Sequence, residues 1–138
     1  MKLEIKLSEV KNYNQVFSKL NISDSFNVIQ SYKIHKIYSK IKNELNDYIE
    51  MRKKLENKYF CKDENNEIKR DAHGNIEIKS SELTLDSYMK ELTSLENTKI
   101  TLELEDLALS IEDLEQFSKN GVLIPNDFSV LDKFLTDV

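Results

Sequence analysis

The chain has 138 residues, of which 39% are hydrophobic and 33% charged, with two glycines, one proline and a net charge of −5. A chain of this length can bury one core but hardly two, so we expect a single domain over residues 1–138. One cysteine excludes an internal disulfide, and no apolar run approaches the roughly 20 residues that span a bilayer, so we expect a protein without a membrane segment in a reducing cytoplasm.

The first element is predicted to be a short strand. Leu3, Ile5 and Leu7 alternate with charged residues, as in a strand that is buried on one face. Ser8 then offers an N-cap, and the apolar spacing that follows predicts a helix from about Glu9 to Leu20.

The strongest local pattern predicts one long helix. Apolar residues recur in steps of mostly three and four at Phe26, Ile29, Ile34, Ile37, Tyr38, Ile41, Leu45, Tyr48, Met51, Leu55 and Tyr59. The stripe is wide enough to pack against two neighbours, and Ile41 and Leu45 are both expected in the core.

The segment "CKDENNEIKRDAHGNIEIK", residues 61–79, is interpreted as a turn region. Glu67–Arg70 and Asn75–Lys79 are predicted to be extended, and Gly74 lies where a hairpin turn needs a positive φ. The polar "KDENNE" stretch has little apolar material to order it, so we interpret it as a disordered linker. No internal repeat is evident in the chain.

The C-terminal half alternates helical and extended patterns. After "SSEL", a plausible cap region, helical spacing predicts a helix that includes Leu85 to Leu95, and Lys99 to Leu104 alternate as a strand. Ser110 is predicted to cap a helix that ends at Asn120 and Gly121, and a last short helix opens after Pro125. The fold expected is α+β and mainly helical: one long helix with three shorter helices and a small antiparallel sheet of the hairpin and the Lys99 to Leu104 strand.

No pattern predicts catalysis, a metal or a cofactor. Cys61, His73 and Asp71 match no nucleophile motif, and Cys61 is expected after a helix C-terminus, where the helix dipole does not favour a thiolate. His35, His73 and one cysteine fit no zinc spacing, and two distant glycines cannot form a phosphate-binding loop. We therefore expect a protein that is not an enzyme.

The charges are unevenly distributed. Residues 1–60 hold 12 basic against 7 acidic side chains and residues 61–138 hold 8 against 18, a net +5 and −10. The two halves are expected to face each other, within one chain or between subunits. The acidic half offers a partner-binding surface of Glu103, Glu105, Asp106, Glu112, Asp113 and Glu115. The alternative is a basic face of the long helix that could bind nucleic acid, formed by Lys33, Lys36 and Lys40.

The order of motifs resembles that of a group of small phage-encoded proteins of unknown function. The motifs are "MRKKLENKYF", "KDENNE", "HGNIEIK", "YMKELTSLENTK", "ITLELEDLALS" and "LIPNDFSVLDKFL", and the resemblance covers roughly residues 30–135. It implies a viral origin and carries no catalytic residues.

Two classes of function remain open. In the first, the protein binds and modulates a host protein or nucleoprotein in the host cytoplasm, one form being an inhibitor of antiviral defence. In the second, it is a virion or assembly component that packs through its long helix against copies of itself or another phage protein.

Overall fold

The computed structural model describes residues 2–80, 82–119, 121 and 123–135, and only the backbone of Asp106. Its elements in chain order are β1 (Lys2–Lys6), α1 (Leu7–Asn21), α2 (Val28–Tyr59), α3 (Leu85–Glu96), β2 (Lys99–Glu103), a 3-10 turn (Glu105–Leu107), α4 (Ile111–Ser118), α5 (Pro125–Leu131) and a second 3-10 turn (Asp132–Phe134). The predicted α+β, mainly helical fold is confirmed. Four shorter α-helices accompany α2 in the described residues, and each matches one of the helical patterns predicted in chain order, although the expected fold counted only three. No helix among these residues has the length and apolar character needed to cross a membrane.

The sheet is antiparallel and small, as predicted, but its strands are different. β1 pairs with β2 in a register that places Leu3 opposite Leu102 and Ile5 opposite Ile100. The hairpin of residues 67–79 was expected to pair with β2, and that prediction is wrong. β1 pairs with β2 instead, because it supplies the matching apolar face. Local patterns identify strands but not which strands pair.

Side-chain caps fix where several helices begin. The side chain of Asn27 accepts a hydrogen bond from the backbone N–H of Gln30, and the side chain of Gln30 accepts one from the backbone N–H of Asn27. These two residues therefore form a capping box before α2. Ser110 caps α4 as predicted. The predicted cap at Ser8 is wrong, since α1 begins at Leu7 and Ser8 lies inside it. The helix end predicted at Asn120 and Gly121 is described only in part. Gly121 has a φ of 77°, and Asn120 lies outside the described residues.

The chain divides into two compact units. One contains the residues up to Leu45 together with those from Lys99 onward, and the other is Asn46–Thr98. Residues of α2 belong to both units. The expectation of a single domain concerns independent folding and stays a prediction.

The first unit has an aromatic core built around the C-terminal 3-10 turn. The ring of Phe134 lies 4.8 Å from that of Phe17, and both side chains are fully buried. Phe26, just before α2, packs edge-on against Phe117 of α4 at 5.0 Å. Ile41 is fully buried as predicted, whereas Leu45 is only half-buried.

The second unit contains a repeat that the sequence reading missed. Three backbone hydrogen bonds of 2.8–2.9 Å form a closed cycle. The N–H of Cys61 donates to the carbonyl of Glu77, the N–H of Glu77 donates to the carbonyl of Lys69, and the N–H of Lys69 donates to the carbonyl of Cys61. These three residues are eight positions apart, and each follows an apolar residue at Phe60, Ile68 or Ile76. The three apolar side chains pack in one cluster with Tyr59, Tyr88 and Leu92.

The turns between these segments are equivalent as well. "KDENNEI" and "RDAHGNI" each place an aspartate, Asp63 or Asp71, whose Oδ1 accepts the amides two and four residues later. Each turn has a residue with positive φ three positions after its aspartate, 62° at Asn66 and 81° at Gly74. The predicted hairpin at Gly74 is confirmed, and the disordered linker is wrong because Asp63 orders the "KDENNE" stretch into a turn.

Candidate protein-docking surface

The segment from Thr101 to Asp113 runs alongside the first half of α2 in the opposite direction. Thr101, Leu102 and Glu103 line a cleft with residues 40–44 of α2, and Glu103, Leu104, Glu105 and Leu107 line the next cleft with residues 32–40. Asp113, at the start of α4, reaches Gln30 and Lys33. The acidic segment and the basic face of α2 are therefore neighbours within the first unit.

Asp113 is a buried carboxylate that joins α4 to α2. Its Oδ2 accepts the amide of Ser110 at 3.0 Å and lies 3.4 Å from Nζ of Lys33, while Oδ1 accepts Nε2 of Gln30 at 3.2 Å. Burial is the largest single influence and favours the neutral form of the carboxyl, but the Ser110 amide, the Gln30 side chain and the charge of Lys33 outweigh it. Together they hold the pKa of Asp113 below its ordinary value.

An exposed apolar patch lies beside this junction. Val28, Ile29 and Tyr32 occupy the first two turns of α2 and are 83%, 67% and 58% exposed. Ile111 opens α4, two residues before Asp113, and is 65% exposed. We call these four residues the apolar patch. Side chains of this size are usually exposed singly, and a group of them bordered by charges is typical of an interaction surface.

A groove borders the apolar patch. It consists of the two adjoining clefts between α2 and the residues from Thr101 to Leu107, of about 320 and 270 Å³, which share Lys40 and Glu103. Tyr32 lies at one end, where Nζ of Lys36 is 5.6 Å from the centre of its ring. Lys36 and Lys40 form the wall on α2, and we call this feature the groove.

The backbone at the groove is strained at one position. Glu105 has a φ of 46°, a left-handed conformation that costs a residue with a Cβ on the order of 1 kcal/mol. It opens the 3-10 turn that begins two residues after the end of β2, and it lines the groove. Strained residues that are not glycine concentrate at functional sites, which supports the choice of this surface.

The structure separates the predicted acidic residues into groups. Glu103 and Glu105 line the groove, and Glu112 and Glu115 are exposed on α4. Asp113 is 6% exposed and serves the fold, so it is not free to bind a partner. The side chain of Asp106 lies outside the described residues.

The predicted basic face is divided in the same way. Lys33 is paired with Asp113, whereas Lys36 and Lys40 are exposed on the wall of the groove. Glu103 and Glu105 of the predicted acidic surface and Lys36 and Lys40 of the predicted basic face therefore line the same groove.

The apolar patch was missed by sequence reasoning. Ile29 fits the helical stripe and was expected to be buried, as was Met51, but they are 67% and 47% exposed. Val28 and Tyr32 lie outside the apolar stripe of the helix. Bulky apolar residues on the polar side of an amphipathic helix are the signal in the sequence that could have revealed an exposed apolar patch.

The residues considered for catalysis and metal binding are dispersed. Cys61 is half-buried in the second unit, His73 is exposed in the turn after Asp71, and His35 is exposed on α2 in the first unit. Within residues 2–80, 82–119, 121 and 123–135, His, Cys, Asp and Glu form no group of three that could hold a metal ion.

No protein family model matches the chain, and neither the curated proteins nor the solved structures contain a match to it. The resemblance to small phage-encoded proteins stays a prediction. Function is therefore argued from the surface itself.

Proposed function

We propose that the chain is a non-catalytic accessory protein of phage type that binds and modulates a protein of its host, an inhibitor of antiviral defence being the specific form. The observation that carries the proposal is the apolar patch, four exposed apolar side chains next to a groove with charged walls. Protein interfaces combine an apolar centre with a polar rim, and tyrosine is among the residues that contribute most to binding.

The charges around the patch favour a protein partner over nucleic acid. A surface that binds phosphates carries a net positive charge. Here Lys33 is paired with Asp113, and Glu103 and Glu105 lie across the groove from Lys36 and Lys40. Mixed charge of this kind orients a protein partner but repels a polyanion in part.

A second use of the same patch is the virion or assembly role. In that case the partner is another copy of this chain or another phage protein, since exposed apolar residues drive self-association as readily as binding to a host protein. The two roles predict different partners at the same four residues.

Site-specific photo-crosslinking in bacterial cells tests the proposal. A photoreactive phenylalanine analogue is placed at Ile29 or at Tyr32 and, as a matched control on the same helix, at Met51, which is 47% exposed in the second unit. We expect a discrete adduct with a host protein from positions 29 and 32 and none from position 51.

Three outcomes contradict the proposal. Adducts only from position 51 move the docking surface elsewhere. Adducts of the chain with itself or with virion proteins support the assembly role. Adducts with nucleic acid, recognised by their sensitivity to nuclease, restore the basic-face hypothesis.

A further inference from the structure

The groove follows the free edge of β2. Thr101, Leu102 and Glu103 line the same cleft, although Leu102 is buried and its two neighbours are exposed. Side chains of consecutive strand residues point to opposite faces of a sheet, so a cleft bordered by the exposed Thr101 and Glu103, by the buried Leu102 and by α2 is best placed along the edge of the strand. The other edge of β2 is paired with β1.

An open strand edge presents backbone donors and acceptors that a further strand can use. In the described residues the sheet has only these two strands, so the groove side of β2 is not covered by a third. Binding of an extended segment to such an edge is a common mode of peptide recognition, in which main-chain hydrogen bonds provide affinity and flanking side chains provide specificity.

The charges of the groove specify which segment fits. No carboxylate of the described residues lies within ion-pair distance of Lys36 or Lys40, and Lys40 lines both clefts of the groove. Glu103 is already paired with Lys2 at 3.6 Å on the exposed face of the sheet. Glu44 lines only one of the two clefts and Glu105 only the other, so the part of the groove that the clefts share, at Lys40, is where an acidic side chain of a partner is most favoured.

We infer that the groove binds an extended segment of the partner protein that adds to the free edge of β2 and places a central carboxylate against Lys36 and Lys40. The five residues of β2 correspond to a segment of about 17 Å. The inference rests on the proposed function, because it assigns part of the partner that the apolar patch binds. Tyr32 belongs to both features and connects them.

Selection from a displayed library of random seven-residue peptides tests the inference on the intact protein. We expect the enriched peptides to alternate apolar and polar residues and to carry Asp or Glu near the middle. A synthetic peptide of the enriched sequence should slow hydrogen exchange at the amides of β2, which a peptide bound only through its side chains would not do.

Two matched charge reversals provide the control. The double substitution Lys36→Glu and Lys40→Glu should weaken peptide binding by at least about tenfold. Lys53→Glu with Lys54→Glu makes the same change of charge on exposed residues of α2 in the second unit and should leave binding within about twofold.

Several results would overturn the inference: enrichment of basic or helix-forming peptides, no enrichment at all, unchanged exchange in β2, or equal loss of binding in both double variants. The crosslinking at Ile29 separates this failure from failure of the proposed function. Host-protein adducts at position 29 without peptide binding contradict the groove inference but support the docking proposal. Peptide binding without such adducts supports peptide binding in the groove and contradicts the docking proposal.

Discussion

Nζ of Lys33 on α2 lies 3.4 Å from Oδ2 of Asp113 at the start of α4, and both side chains are largely buried. Each of these residues belongs to one of the two charged surfaces that the sequence offers as rival docking sites. Their pairing shows that part of the charge asymmetry is satisfied inside the chain. What remains for a partner is the exposed part of each surface, next to the apolar patch.

Asp113 should make stability depend on acidity. Its pKa is lower in the folded chain than the roughly 3.9 of an unfolded aspartate, so its stabilisation is present above that pH and is lost as the pH falls through the folded-state value. Asp113→Asn should lower the free energy of unfolding at pH 7 by about 1 kcal/mol, because it removes the charge from the hydrogen bond with the Ser110 amide and from the ion pair with Lys33. Urea titrations between pH 7 and 3 should show the gap to the wild type closing below about pH 4, and a constant gap would be inconsistent with this account.

The long helix should be most sensitive where it is fully buried. Ile41→Ala removes a side chain with no exposed surface and should cost about 2 to 5 kcal/mol in free energy of unfolding. Leu45→Ala should cost less, because Leu45 is half-buried, and the exposed Lys42→Ala serves as the control. Denaturant melts of the three variants check the order, and equal effects at positions 41 and 45 would mean that the first unit packs differently around α2.

The two equivalent turns of the second unit should differ in how strongly their positive-φ residue affects stability. Gly74→Ala forces a Cβ into a φ of 81° although it meets no atom within 4 Å, so the cost is conformational and about 1 to 2 kcal/mol. Asn66→Gly relaxes a φ of 62° and should change stability by less than about 0.5 kcal/mol, since asparagine tolerates this conformation. Thermal melts compare them. A neutral Gly74→Ala would show that the turn does not constrain the unit.

Strain at the groove should be removable by one substitution. Glu105→Gly relieves a φ of 46° and should raise the free energy of unfolding by about 0.5 to 1 kcal/mol. The exposed Glu112→Gly is the control, and it should be destabilising because it places glycine inside α4. A loss of stability at position 105 would indicate that the side chain has a structural role outweighing the strain.

The sequence predicted where helices and strands lie better than it predicted which of them pair or pack together. The period of the apolar residues in α2 and the capping serine before α4 are local signals, and both led to correct elements. Strand pairing depends on which apolar faces meet across the fold, so the partner of β2 was assigned to the hairpin rather than to β1. The eight-residue repeat was missed because its equivalent positions share apolar character and turn geometry more than residue identity.

The candidate site was only partly within reach of the sequence. Lys36, Lys40, Glu103 and Glu105 were recognised as charged and accessible, but their meeting in one groove depends on Thr101 to Asp113 running back along α2. Periodicity assigned Ile29 to the core, since a stripe on a helix does not reveal where its covering neighbours end.

The most direct test of the docking surface is the dissociation constant of the crosslinked partner for three forms of the protein, measured by titration calorimetry. Tyr32→Ala removes the aromatic side chain shared by the apolar patch and the groove, and should weaken binding by about thirtyfold, the effect of losing about 2 kcal/mol at an interface hot spot. Leu85→Ala truncates a 50% exposed side chain in the second unit and should stay within about twofold of the wild type. Wild-type affinity in Tyr32→Ala, or a large loss in Leu85→Ala, would contradict the assignment of the partner to this surface.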